Sequence, residues 1–374
     1  MKISIDARSI NWAKGTGIGT YTYNIIQELG KINSANEYLL FWTQNDYNSI
    51  SKEIFRTVMT SNKHSRFFDN IYIPKYIAKN NIDLYHIPQN GMGLNSQIQC
   101  KKIVTIHDLI PYVMPETVGS GYLKKFLESM PEIIGLCDGI ITVSEYSKSD
   151  ILKFFPSFDK DKIFVTPLAT NENYHVLDRY KCKKYVQNKF DFSTDYILYI
   201  GGFSARKNVK HLIYSFKKSL SSLNKEIKLV LVGALRDEGE ALKKYTSYLH
   251  LDDHVIFTGY VNDDMLPILY NGCDAFIYPS LYEGFGLPPL EAMSCGAPVI
   301  TSNTTSIPEV ISDCGMLINP HSRDSLAKAI VKLMNDPQLR LKLSILGLKH
   351  SESFSWSNTA MNTIKAYNAV LNEV

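Results

Sequence analysis

The apolar positions of this chain fall into short β-rich runs separated by stretches of helical period, and the alternation occurs in two series. The first series comprises "KISID", "EYLLFW", "FFDNIYIP", "DLYHIPQN", "KKIVTI", "DGIITV" and "DKIFVTPLAT". The second comprises "YILYI", "IKLVLVGAL", "HVIFTGYV", "DAFIYPS" and "PVITS". Runs that are apolar on both sides suit strands covered on both faces, and strand–helix alternation places them in parallel, doubly wound sheets. Between the series, residues from about Thr170 to Asp195 lose apolar periodicity and collect Asn, Asp and Lys, which marks a linker. The expected fold is therefore α/β, with two Rossmann-like domains in tandem and a cleft between them. The boundaries read as residues 1–170 and 171–355, followed by a final helix over 356–374 with apolar residues at Ala360, Ile364, Tyr367 and Leu371.

Within the first series, Lys2 to Asp6 alternates as a strand. A loop "RSINWAKGTGIGT" and a helix from about Thr20 to Leu29 follow. Gly15 and Gly17 begin a dinucleotide fingerprint, but its third glycine position holds Thr20, which argues against that assignment. Gly17 and Gly19 remain candidates for presenting backbone amides to a phosphate. The strand Ile103 to Ile106 ends in His107 and Asp108. Open α/β sheets bind ligands beyond the carboxyl ends of their strands, so both are candidate site residues. Gly121 to Leu136 has helical spacing that Pro131 is expected to interrupt. Ser144 reads as the cap of the helix after strand Ile140 to Val143.

The stretch "YEGFGLPPLEAMSCGAPVI", Tyr282 to Ile300, reads as a Gly-containing turn and then a helix opened by Pro288. The amides of Phe285, Gly286 and Leu287 would lack helical partners at the positive end of the dipole, where an anion such as a diphosphate is favoured. Glu283 and Glu291 bracket that helix start. An ionised carboxylate only accepts, so it suits sugar hydroxyls, and a nucleotide sugar carries hydroxyls on both sides of its diphosphate. In "YIGGFSARKNVKHL" a strand and Gly turn deliver Arg206 and Lys207 to a helix start, where two cations can neutralise a diphosphate. Gly259 and Tyr260 close the strand "HVIFTGY".

A length of 374 residues exceeds one ordinary core and agrees with two domains. The net charge of +3 and scattered lysines do not call for nucleic acid as a partner, though they permit contact with an anionic membrane surface. Six cysteines without a C-x-x-C pair suggest neither zinc nor a disulfide framework. The chain enters a strand at once, and no apolar run approaches the roughly 18 residues that span a bilayer. These features lead to the expectation of a cytoplasmic protein with membrane contact only at its surface.

The segment "EGFGLPPLEAMSCGAPVITSNTTSIPEV" closely resembles the E-x7-E signature of retaining GT-B glycosyltransferases of family 4, and the resemblance extends in order across nearly the whole chain. With "HDLIP", "TVSEYSKSDI" and "RKN" it most resembles bacterial polysaccharide mannosyltransferases. The resemblance implies a nucleotide-diphosphate hexose as donor, GDP-mannose first, and a saccharide or lipid-linked saccharide as acceptor. It also implies retention at the anomeric carbon by a front-face route, with no cofactor and no metal. His107 would lie near the transferred sugar and Asp108 would orient it or face the acceptor. Gly17 and Gly19 would lie over the diphosphate, and the base would rest at Gly259 and Tyr260. Lys207 matches a phosphate-holding Lys of the family; Arg206 would replace an Arg at a position occupied here by Gly202. The final helix would cross back to the first domain. Two other readings stay open: a nucleotide-sugar epimerase on the same scaffold, and a non-catalytic nucleotide-sugar binder.

Overall fold

The computed structural model describes residues 1–13, 15–32, 35–43 and 55–372. It comprises two compact units, Met1–Leu168 with Ser355–Val374, and Ala169–Phe354. Among the described residues no helix is long and apolar enough to cross a membrane.

The first unit is built on strands β1 (Lys2–Asp6), β2 (Glu37–Trp42), β3 (Phe55–Met59), β4 (Leu84–Ile87), β5 (Lys101–Ile106), β6 (Gly139–Thr142) and β7 (Ile163–Val165). They form one parallel sheet in the order β3-β2-β1-β4-β5-β6-β7, with Ile3 opposite Leu84 and Ile5 opposite His86 where the order reverses. Ile3, Ile5, Leu40, Phe41, Leu84, Ile87, Ile103 and Val104 are fully buried, as strands covered on both faces require. The terminal helix Trp356–Asn372 belongs to this unit. Its Tyr367 hydroxyl meets His86 Nδ1 at 2.7 Å, while Thr359 Oγ1 donates to the Pro167 carbonyl at 2.6 Å. A Cβ at Gly139 would stand 2.6 Å from Val370 Cγ2, so only glycine lets that helix sit this close to β6.

Three sequence expectations are corrected here. "FFDNIYIP" is helical, with Phe68–Tyr72 continuing into Ile73–Lys79. Its Phe68 and Tyr72, with Tyr76 of the continuing helix, are four residues apart and pack ring on ring, which is a helical rather than a strand period. The strand at that place is β3 instead. Pro131 lies inside one helix, Ser120–Leu136, without ending it. The helix survives because Phe126, Met130, Ile133 and Ile134 bury one face while Pro131 faces solvent. The loop read after β1 holds a short helix, Ser9–Trp12, and the helix expected from about Thr20 begins at Gly17, about a turn earlier, so Gly17 and Gly19 are helical rather than part of a loop.

The second unit holds strands β8 (Asp195–Ile200), β9 (Ile227–Val232), β10 (Val255–Gly259), β11 (Ala275–Tyr278), β12 (Val299–Ser302) and β13 (Met316–Ile318). They are parallel in the order β10-β9-β8-β11-β12-β13. The polar stretch read as a linker contains the helix Arg179–Lys189, capped by Asp178. Cys182 and Val186 bury its inner face, and ion pairs fasten it further. Arg179 reaches the buried Asp274 at 2.8 Å, and Lys183 bridges Asp274 at 2.7 Å and Asp195 at 2.6 Å.

Candidate functional site

In the second unit the strand order reverses between β8 and β11, and such a switch point opens a crevice beyond the carboxyl ends of the two strands. The chain after β8 enters it through Gly201, whose φ of +153° suits glycine and where a Cβ would stand 2.9 Å from the Tyr199 hydroxyl. A short 3-10 turn Ala205–Lys207 follows, and then Asn208 in the left-handed region with φ +60°. The Asn208 amide donates to the carbonyls of Pro279 at 3.1 Å and Pro320 at 2.8 Å, which ties this turn to the segments leaving β11 and β13. Leu281 N donates to the Arg206 carbonyl at 2.8 Å and joins the two segments directly.

Between those segments lies a buried carboxylate with an unusual number of donors. Glu283 Oε1 receives Lys207 Nζ at 2.7 Å, the Ser280 hydroxyl at 2.5 Å and the Tyr278 hydroxyl at 3.0 Å, and Arg206 NH1 stands 2.8 Å away. Arg206 NH1 also donates to the Tyr282 carbonyl at 2.5 Å. Lys207 bonds the Tyr278 hydroxyl and lies 4.9 Å from its ring centroid. Burial by itself would raise the Glu283 pKa, but the two cations outweigh it and hold the carboxyl at about 2. The sequence reading sent the cations to a phosphate and the carboxylate to a sugar; the structure joins all three in one cluster.

The turn carrying Glu283 is fixed from β12. Thr305 sits at φ +57°, a strained conformation for a β-branched residue, and its hydroxyl accepts from Glu283 N at 3.2 Å. Ser306 Oγ donates to the carbonyls of Glu283 and Phe285, both at 2.8 Å. Gly286 then enters the helix Leu287–Ser294 at φ +119°, where a Cβ would meet Ile307 Cδ1 at 2.7 Å. Phe285, Gly286 and Leu287 thus form the amino end of that helix, as their order in the sequence suggested.

Glu291, one turn inside that helix, is in different surroundings. Its Oε2 accepts from the buried Tyr270 hydroxyl at 2.9 Å, and the Tyr174 hydroxyl lies beside the same carboxyl. Burial raises its pKa to about 7; the two phenols oppose that rise and Asp263 adds to it. The two glutamates therefore bracket the helix start as expected, one ionised against cations and one close to neutrality against phenols. At the end of β10, Gly259 takes φ +72° and leaves Tyr260 73% exposed.

The remaining candidates, His107, Asp108, Gly17 and Gly19, belong to the first unit. His107 follows β5. Its Nε2 donates to the Pro88 carbonyl at 2.8 Å, its backbone N donates to Asn90 Oδ1 at 2.9 Å, and the Tyr21 ring packs edge-on at 4.9 Å. A carbonyl only accepts, so Nε2 carries the proton and Nδ1 is the acceptor of a neutral ring. Burial keeps it neutral by lowering its pKa to about 4. Asp108 Oδ1 accepts from Ile110 N at 3.0 Å and so caps the next turn. Gly17 and Gly19 lie in the first helical turn behind Thr16.

Tyr278, Ser280, Thr305, Tyr270 and Tyr174 were not foreseen. A polar pair at a strand end, as in "FIYPS", was the available signal for the first two. Nor was the cluster at the switch point between β1 and β4, where Arg8 grips the buried Asp6 through Nε at 2.7 Å and NH2 at 2.6 Å. Gln89 donates to the same carboxylate at 2.6 Å.

Two family descriptions match the chain in tandem, "Glycosyltransferase Family 4" over residues 15–173 and "Glycosyl transferases group 1" over residues 183–349. The chain belongs to the family 4 glycosyltransferases. It is 29% identical over 368 residues to the O-antigen chain mannosyltransferase B of Escherichia coli, covering 94% of this chain and 96% of that protein. Among solved structures, sucrose-phosphate synthase from Thermosynechococcus elongatus matches with a TM-score of 0.78 at 20% identity, covering 100% of both chains. Anabaena HepE in complex with UDP and glucose also matches with 0.78, at 16% identity, covering 99% of this chain and 100% of that one. The glycosyltransferase has the GT-B fold of these neighbours, two parallel-sheet α/β domains of seven and six strands.

Proposed function

We propose that this glycosyltransferase moves a hexose, with retention at the anomeric carbon, from a nucleotide-diphosphate sugar to a hydroxyl of a saccharide or lipid-linked saccharide. Mannose from GDP-mannose is the leading donor, and cell-surface polysaccharide is the product class. The reading rests on the cluster of Arg206, Lys207 and Glu283 at the switch point between β8 and β11. An incoming diphosphate offers both cations a doubly charged partner. As the bond to the sugar breaks, charge grows on that diphosphate, and preorganised donors in a dry site then contribute most, roughly 3 to 4 kcal/mol for a good one. Glu283 is thereby released to accept from hydroxyls of the hexose, and Glu291 from those of the ribose. His107, neutral with Nδ1 as acceptor, takes a further sugar hydroxyl. The leaving phosphate itself assists the acceptor hydroxyl in losing its proton, and neither a cofactor nor a metal has a role in this scheme. The kinship with an O-antigen chain mannosyltransferase supports both the mannose and the polysaccharide, with the enzyme working in the cytoplasm, peripherally at the inner face of the membrane.

The test is incubation of the purified enzyme with GDP-mannose and, in parallel, UDP-glucose, UDP-galactose and UDP-N-acetylglucosamine, using a panel of saccharide acceptors. The expected result is transfer from GDP-mannose to give an α-linked product, read from the one-bond carbon–hydrogen coupling at the new anomeric centre. A β-linked mannoside would overturn retention. Conversion of the donor to an isomer without acceptor would replace transfer by epimerisation.

A further inference from the structure

Glu291 reaches its place from the helix Leu287–Ser294, but what faces its carboxyl comes from two other parts of the second unit. Tyr270, on the helix Leu266–Gly272, is fully buried and donates to Oε2 at 2.9 Å. Its ring is clamped by Tyr174 at 5.9 Å and Phe276 at 5.1 Å, both near perpendicular, so its hydroxyl has little freedom to turn away. Tyr174 comes from the segment that opens the second unit and adds its own hydroxyl to the same carboxyl. The other ionisable groups near it are Asp263 and Cys295. Neither is cationic, in contrast with the two cations on Glu283.

We propose that Tyr270 and Tyr174 are positioning residues that hold the Glu291 carboxyl and leave its remaining lone pairs to the ribose hydroxyls of the donor nucleotide. The inference rests on the donor reading above and extends it to two residues outside the E-x7-E stretch. A carboxylate has about four acceptor directions, so two phenols leave room for two ribose hydroxyls. Phenols can hold the carboxyl without making the permanent ion pair that would compete with the ligand. The arrangement also couples donor affinity to pH. The phenols favour the charged form against burial, which raises the carboxyl to about 7, so the occupied site needs a proton to leave near neutrality.

The experiment compares Tyr270→Phe, Tyr174→Phe and Glu291→Gln in the full chain. It measures kcat and KM for GDP-mannose from about pH 5.5 to about 9, together with calorimetric binding of GDP and UDP. Tyr270→Phe is expected to raise KM and weaken nucleotide binding about tenfold, the worth of one hydrogen bond to a charged group, with kcat little changed. Its acid limb should move to higher pH, because the charged carboxyl has lost a donor. Tyr174→Phe, at a less buried position, should act in the same direction and covers the case in which the Tyr270 variant does not fold. If both phenylalanine variants keep the wild-type KM and acid limb while Glu291→Gln loses affinity, the positioning role is wrong and the donor reading stands. If Glu291→Gln also leaves affinity for GDP, UDP and GDP-mannose unchanged, the donor assignment of Glu291 falls, and the proposal with it.

Discussion

Lys207 and Glu283 form an ion pair of 2.7 Å where the chain leaves β8 and β11, joining by charge the two residues that a diphosphate and a hexose would separate. Glu283 is buried, and Lys207 is half-buried with Arg206 beside it. The two cations and the carboxylate are thus gathered at the carboxyl ends of β8 and β11, and donors fixed in this way are what stabilise developing charge.

Lys207→Ala should lower the rate of transfer by about a hundredfold or more, since it removes a charged donor from the diphosphate. Lys207→Arg should recover only part of that loss. A planar guanidinium does not reproduce an ammonium that bonds the Glu283 carboxylate and the Tyr278 hydroxyl together. Steady-state kinetics with the physiological donor and acceptor decide it. Wild-type turnover in Lys207→Ala would mean that the donor site lies elsewhere.

His107 should act as a neutral group throughout the working range. Its Nε2 proton is committed to the Pro88 carbonyl, and burial takes its pKa down to about 4. His107→Ala should therefore reduce kcat/KM by about tenfold or more through the lost hydrogen bond, while the shape of the pH profile between about 5 and 9 stays that of the wild type. A profile that loses its acid limb in the variant would show that His107 titrates and works as a base. The depressed value also has a sign for stability: the contribution is present above the ordinary histidine range and is lost as pH falls through about 4.

Much of this was legible in the chain because the signals were local. The strand Lys2–Asp6 announces itself by alternation and Ala275–Tyr278 by an unbroken apolar run, and the turn into Leu287–Ser294 by Gly286 and Pro288. The segment Phe67–Pro74 was misread because aromatic and β-branched residues carry strand propensity, whereas ring packing four residues apart decided for helix. The two short strands Phe55–Met59 and Met316–Ile318 gave too little pattern to register. At the site, the charged members could be named from their spacing. That Lys207 turns onto Glu283, and that the Tyr270 phenol holds Glu291, depends on residues 76 and 21 positions apart in the chain. No local pattern carries that information.

Asp274 supports the second sheet at the opposite end from the site. It is buried at the start of β11 and accepts from Arg179 and Lys183, while Lys183 also reaches Asp195 at the start of β8. Asp274→Ala should cost about 1.5 to 3 kcal/mol, because two charge-assisted bonds to a buried carboxylate are lost while Lys183 keeps Asp195 and Arg179 can turn to solvent. Urea unfolding measures that loss. Nucleotide affinity of the folded fraction should not change, since the network lies at the amino ends of the strands. A loss of only a few tenths of a kcal/mol would show that solvent already screens the network.

The two glutamates should respond to pH with opposite sign. Glu283, held at about 2 against an ordinary 4.5, stabilises the fold at every pH above the ordinary carboxylate range and loses that contribution only as pH falls towards 2. Glu291, raised to about 7 from the same 4.5, contributes fully below the ordinary carboxylate range, and that contribution is lost as pH rises from there through about 7. A separation of this size between folded and unfolded values corresponds to about 3 kcal/mol. Between about pH 5 and about pH 8.5, Glu283→Gln should therefore show a constant deficit relative to wild type. Over the same interval Glu291→Gln should gain on wild type by up to about 3 kcal/mol, since glutamine has no charge to expose. Urea unfolding of both variants at the two pH values gives the comparison. Parallel behaviour would mean that the carboxyls share one electrostatic environment, which their partners, two cations for one and two phenols for the other, argue against.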